Sequence, residues 1–295
     1  MQFNITKNSI DRFRRSALVL VGHGSTRTAN SSLPTRHIAA TLRQRALFAE
    51  VIACFWKERP LLQEALTVVT ADEVFVVPNF SGVGYCTREV IPREMGLSGP
   101  LTEMSGANGR IRRIYYTPPV GTHPQLALLV HQWAEAVVTY YDLNRASLCL
   151  LLIGHGSRRP GGSSETAETL AVTLRRLWVG KVYTAYLAQE PMVTSWASFI
   201  SARDILVVPL LIGIGLHGSE DLPPLFGLSA ANLTATDHLP TAESALMHGR
   251  RIWYCHGISC HPAINDMILD QVRQISEQQI ATRKELSPPS KDAFP

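Results

Sequence analysis

The sequence repeats itself. Residues 19–25 read VLVGHGS and residues 151–157 read LLIGHGS. Residues 74–92, VFVVPNFSGVGYCTREVIP, return as ILVVPLLIGIGLHGSEDLP at 205–223. Residues 115–126, YYTPPVGTHPQL, return as WYCHGISCHPAI at 253–264. Three motifs recur in one order at separations of 132, 131 and 138 residues, so the chain is two homologous halves meeting near Asn144. The expected units are an N-terminal extension (1–15), a first domain (16–143), a second domain (144–278) and a flexible tail (279–295). A length of 295 residues is comfortable for two domains, and 45% hydrophobic with 18% charged residues is ordinary for globular proteins.

Within each half, short β-branched runs alternate with longer helical patterns. In the second half the strands are expected at 148–153, 181–187, 204–209 and 252–256. Helices are expected at 164–178, 191–201 and 262–277, where apolar residues such as Leu170, Leu174 and Leu177 follow helical spacing. Strand–helix–strand succession implies right-handed crossovers. The fold class is therefore α/β: two domains, each with a parallel four-stranded sheet flanked by helices, and a cleft between them. Open sheets of this kind bind ligands beyond the carboxyl ends of their strands. Both GHGS motifs fall there.

A net charge of +4 is too small to point to nucleic acid. No apolar run approaches the roughly 18 residues of a membrane span. Five scattered cysteines, Cys54, Cys86, Cys149, Cys255 and Cys260, do not form a disulfide framework and suit a reducing cytoplasm.

A histidine between two glycines at a strand end can turn sharply and present its imidazole, which is a base near neutral pH and a common metal ligand. The plainer role is a turn residue bonding its own loop, but recurrence in both halves weighs against that. No phosphate-binding GxxxxGK[ST] or GxGxxG pattern is present. His217 follows the strand ending at Pro209 and lies two crossovers after His155, so both imidazoles belong to one sheet edge. Two imidazoles suit a borderline divalent metal such as Fe²⁺, Co²⁺ or Ni²⁺. In the first half Cys86 stands where His217 stands in the second, leaving His23 and a thiol, a degenerate counterpart.

The two GHGS strands, the VVPLLIGIGLHGSEDLP segment and the turn before each His-Pro resemble the sirohydrochlorin chelatase family, of the class II chelatase fold, over roughly residues 16 to 275. The resemblance implies an ATP-independent enzyme inserting Co²⁺ or Fe²⁺, with Ni²⁺ a further candidate, into sirohydrochlorin or a related tetrapyrrole, with the metal as substrate and no organic cofactor. It implies His155 and His217 as metal ligands and catalytic groups. The family pattern also carries a glutamate after the second strand, within Phe-Leu-Glu. Here the matching stretches are FWKERP and YLAQEP, with Lys57 and Ala188 at that place. Glu190, two residues beyond Ala188, is the carboxylate expected to substitute. Ser157, Arg158 and Arg159, with Arg27 and Arg88, are candidates to bind the substrate's carboxylates.

Cys255, His256, Cys260 and His261 crowd four possible ligands into seven residues. An accessory metal site is one reading. Against it, His261 matches His123 in the other half and suits a turn role, and Cys255 suits the core. Trp133, Trp178, Trp196 and Phe199 fall on helical faces and are expected in the core. The expected partners are a tetrapyrrole small molecule, no nucleic acid and no membrane, with the chain a monomer or homodimer. Two other functions stay open from sequence: a non-catalytic tetrapyrrole- or metal-binding protein of the same fold, and a metal sensor or store built on the 255–261 cluster.

Overall fold

The computed structural model describes residues 11–26, 31–106, 109–157, 164–210, 222–228, 242–255, 258 and 261–286. In the first half, β1 (Ser16–Gly22), α1 (Leu33–Gln44), β2 (Glu50–Phe55), α2 (Leu62–Val68) and β3 (Glu73–Pro78) follow in turn. A π-helical turn (Cys86–Val90) then runs into α3 (Ile91–Met95), and β4 (Leu101–Ser105), β5 (Ile111–Tyr116) and α4 (Gln125–Tyr140) complete the half. The second half runs β6 (Leu148–Gly154), α5 (Ser164–Leu177), β7 (Val182–Tyr186), α6 (Trp196–Phe199), β8 (Asp204–Pro209), β9 (Ala242–Met247), β10 (Arg250–Cys255) and α7 (Ala263–Leu286).

The two sheets have the same strand order, β2-β1-β3-β5-β4 and β7-β6-β8-β10-β9. Each has the four expected parallel strands and, in addition, a fifth antiparallel strand at one edge, β4 against β5 and β9 against β10. Parallel register places Val19 opposite Ile52 and Val76, and Leu151 opposite Tyr183 and Val207. The edge strands escape sequence reading because an edge strand pairs on one side only and tolerates polar residues. LTEMS in β4 shows no apolar run.

Period-two alternation sorts the central strands between two cores. In β6, Leu148, Leu150 and Leu152 join a cluster that both halves share, while Cys149, Leu151 and Ile153 enter a cluster of the second half alone. In β1, Leu18 and Leu20 join the shared core, and Ala17, Val19 and Val21 the outer one. A strand buried on both faces must be apolar throughout, which is why both runs are. In the shared layer α4 packs on α5 and α1 on α7.

Polar contacts cross the same seam. His123 Nε2–H donates to Asp270 Oδ2 at 3.1 Å, Gln271 Nε2 donates to the Pro119 carbonyl at 3.2 Å, and Arg45 pairs with Asp266 at 2.6 Å. Arg12 reaches Glu73 and Tyr115 within its own half and Ser276 on α7, while Phe13 is fully buried. Gly82 is required where the loop after β3 meets α5: an added Cβ would stand 2.4 Å from the Thr166 hydroxyl.

The segment 191–201 is less helical than its pattern predicts. It holds a 3₁₀ turn, Val193–Ser195, continued by the single turn of α6. Its buried anchors, Val193 and Trp196, are three residues apart, so one turn covers both. The last helix is longer than predicted and continues to Leu286. Trp133, Trp178 and Trp196 are buried as expected, whereas Phe199 is only partly so. No described helix is long and apolar enough to cross a membrane.

Candidate active site

Each GHGS motif leaves its strand at the carboxyl end of the sheet. Gly24 and Gly156 have φ of +67° and +76°, a left-handed conformation that favours glycine. A side chain there would also collide, since a Cβ on Gly156 would lie 2.8 Å from Tyr186 Cβ. The turn exposes the imidazole between the glycines: His23 and His155 are both exposed.

Each imidazole bonds the carbonyl of the following glycine through Nδ1, at 2.8 Å for His23 and 2.9 Å for His155. A carbonyl only accepts, so Nδ1 carries the proton and the lone pair of the neutral ring resides on Nε2. The turn thus selects the tautomer that a metal ligand or base requires. The local turn bond and the chemical role, competing readings from sequence, are one arrangement.

Backbone pairing carries the next strand's end to the histidine. The Lys57 amide donates to the His23 carbonyl at 2.9 Å, and the Ala188 amide to the His155 carbonyl at 3.0 Å. Lys57 and Ala188 are therefore equivalent, immediately beside the histidine. One residue further, a side chain returns to hold the turn. Gln189 Oε1 accepts from the Ser157 amide at 2.8 Å, and Glu58 Oε2 from the Ser25 amide at 3.4 Å. Glu58 is itself held by Ser32 and Arg36, whose hydrogen bonds outweigh the effect of burial and depress its pKa. In the second half the brace is neutral.

Below the second turn lies the Tyr186 ring, with its hydroxyl donating to Glu168 of α5, which also accepts from Thr184. Burial, then the Glu168 bond, keeps this phenol protonated. Gln189, Tyr186 and Glu168 were not singled out from sequence. The available signal was alignment of YLAQEP on FWKERP, which pairs Gln189 with Glu58.

Glu190 is exposed, and its Oε2 accepts from the Met192 amide at 2.9 Å, a bond within its own turn. Ser157 sits in the turn through its amide. His217, Arg27, Arg158 and Arg159 lie outside the described residues.

The first-half site is chemically different. Trp56 meets His23 edge-on with ring centroids 5.2 Å apart, and Lys57 Nζ lies 3.7 Å from the centre of the Trp56 ring. Cys86 begins the π-helical turn as a free thiol. Burial raises its pKa, against the opposing effect of Lys57, so a protonated thiol stands where the second half's sequence has a histidine.

In the 255–261 cluster, Cys255 is buried, with its thiol pushed up to about 12 by burial. His261 Nδ1 accepts from the Ala263 amide at 3.1 Å, as His123 Nδ1 accepts from the Gln125 amide at 3.3 Å. The matching turn role is thus present in both halves. His256 and Cys260 lie outside the described residues, and no group of three possible metal ligands occurs among those described.

The family model CbiX matches residues 17–137 and, a second time, 149–275. A probable sirohydrochlorin cobaltochelatase of Halobacterium salinarum is 33% identical over 268 residues, covering 86% of this chain and 90% of that protein. A multi-domain protein of Deinococcus radiodurans, described as structurally similar to chelatases with two additional novel domains, is 28% identical with a TM-score of 0.66. The match covers 87% of this chain and 54% of that one, so this chain spans about half its length. The sirohydrochlorin chelatase SirB of Bacillus subtilis subspecies spizizenii, solved in complex with cobalt, is similar in fold, with 18% identity, a TM-score of 0.63, and coverage of 89% and 95%.

Proposed function

The chain belongs to the CbiX family, and from that premise we propose that it is a tetrapyrrole metallochelatase that inserts Co²⁺ or Fe²⁺, with Ni²⁺ a further candidate, into sirohydrochlorin or a related macrocycle without ATP. The observation that carries this reading is the His155 turn. Its Nδ1–H is committed to the Gly156 carbonyl, which directs the Nε2 lone pair to metal or proton.

The reaction is an exchange. Two pyrrole N–H protons leave as one divalent ion enters, so charge balances without a co-substrate. His155 Nε2 accepts a proton as the ring nitrogens turn to the metal, a step for which a base near neutral pH is suited. His217, which follows β8 in the sequence, is the second imidazole, and Glu190 the carboxylate assigned to the same edge. Ser157, Arg158 and Arg159 are assigned to the substrate's carboxylates, whose binding can supply the energy needed to bend the macrocycle. The working unit is residues 144–278. The first unit, 16–143, has a lysine and a protonated thiol in its site and serves as support. The assignment to the cytoplasm rests on the scattered cysteines, of which those described are free.

The test is metal insertion followed by the absorption change of sirohydrochlorin with Co²⁺, Fe²⁺ and Ni²⁺ in turn. Turnover above the uncatalysed rate, abolished in His155→Ala, supports the reading. Stoichiometric binding of macrocycle or metal with no rate enhancement overturns it in favour of a binding protein.

A further inference from the structure

A groove of about 690 Å³ opens beside the seam between the first half and α7. That volume lies within the range of small-molecule sites. It is formed past the ends of β3 and β5, where the segments 97–100 and 116–119 face α7. Its walls are mainly apolar, with Val83, Pro92, Leu97, Tyr116, Pro118 and Ile275 among them.

The floor is hydrogen-bonded across the two halves. His123 is buried there with both ring nitrogens engaged, one by the Gln125 amide and the other by Asp270. Burial depresses its pKa, partly offset by Asp270, so it contributes shape and no charge near neutral pH. Asp270 lies behind the lining, its carboxylate met by Arg273 and Gln274. Gln271 is tied to the Pro119 carbonyl.

Against this neutral wall stands one full charge. Arg88 lines the groove, no carboxylate among the described residues lines it, and the Arg88 side chain has neither an ion pair nor a hydrogen bond to a described residue. A guanidinium with no partner among the described residues, at a mainly apolar groove, matches a ligand with an apolar body and a carboxylate at one end. Guanidinium binds carboxylate with two parallel hydrogen bonds.

We propose that this groove is a binding site for a small amphipathic carboxylic acid, seated on the proline and Tyr116 wall with its carboxylate on Arg88. The site draws on no residue of the turn that carries His155, and it assigns Arg88, a candidate from sequence for the tetrapyrrole's carboxylates, to this groove instead.

The probe is 1-pyrenebutyrate, with 1-pyrenebutanol as its uncharged counterpart, titrated into the full chain and followed by pyrene fluorescence. The acid should bind saturably at one site and more tightly than the alcohol by roughly 10-fold, the scale of one charged hydrogen-bonded pair. Arg88→Gln should abolish that difference and Arg88→Lys should keep part of it. Ser98→Trp, at an exposed position in the lining, should block both probes while leaving the circular dichroism melt in place. His155→Ala should bind the acid as the parent does. Equal affinity for acid and alcohol, or acid binding unchanged by both Arg88→Gln and Ser98→Trp, would overturn the proposal.

Discussion

Gln189 Oε1 accepts a hydrogen bond from the Ser157 amide at 2.8 Å, tying the end of one strand to the turn that presents His155 from its neighbour. Glu58 makes the same tie to Ser25 in the other half. Gln189→Leu removes the acceptor and leaves the Ser157 amide without that partner. Losing a group that orients a metal ligand typically costs about 10- to 100-fold. Metal insertion should fall in that range, with the melting temperature little changed. Gln189→Glu, which restores the first half's brace, should recover most of the activity.

His155→Ala and His217→Ala should each reduce insertion to the uncatalysed rate, while His23→Ala should have a small effect. The asymmetry follows from the first half's lysine and protonated thiol. Initial rates with sirohydrochlorin and Co²⁺ decide it, and an equal loss in His23→Ala would mean that the first half works too.

Ala188 occupies the backbone position of Lys57, beside the histidine carbonyl. Ala188→Glu should place a carboxylate next to His155 and raise insertion. Glu190→Gln should cost about 10- to 100-fold if Glu190 supplies the carboxylate. The bond from the Met192 amide to Glu190 gives that test an edge: a silent Glu190→Gln paired with a gain in Ala188→Glu would assign Glu190 to its turn alone.

The first half can be converted. Lys57→Glu with Cys86→His removes a cation and a protonated thiol and supplies a carboxylate and an imidazole beside His23. Such a three-ligand site should bind Co²⁺ in a His155→Ala, His217→Ala background, read from the visible d–d bands. Lys57→Glu by itself should bind far more weakly.

The seam should weaken in mild acid. Burial lowers the pKa of His261, and of His123 despite Asp270, from an ordinary value of 6.5. As pH falls below about 6.5 the unfolded chain takes up protons that the native one does not, so stability present above that pH is progressively lost. The melting temperature should drop between pH 7.5 and 5.5. His123→Gln, which removes one titrating group, should show a shallower drop from a lower start. Breaking this buried bond costs about 1–3 kcal/mol.

Much of this protein is decided locally. The duplication was legible because three motifs recur in one order along the chain, and the both-face apolar runs of β1 and β6 and the GHG turns because each depends on residues adjacent or two apart. The π-helical turn at Cys86, the single turn of α6 and the edge strands β4 and β9 were not. Edge strands bury one face and one side, so their sequences carry little of the apolar signal.

The sequence by itself determined that two similar α/β units exist and that each ends its first strand in an exposed histidine. Only the tertiary structure decided what surrounds those histidines. Gln189 rather than Glu190 reaches back to the turn, Ala188 stands beside His155, and His123 finds Asp270 147 residues away. These contacts depend on how loops close and on how one sheet lies across the shared core from the other. Their free energy arises from groups brought together by packing, and no local pattern along the chain records which groups those will be.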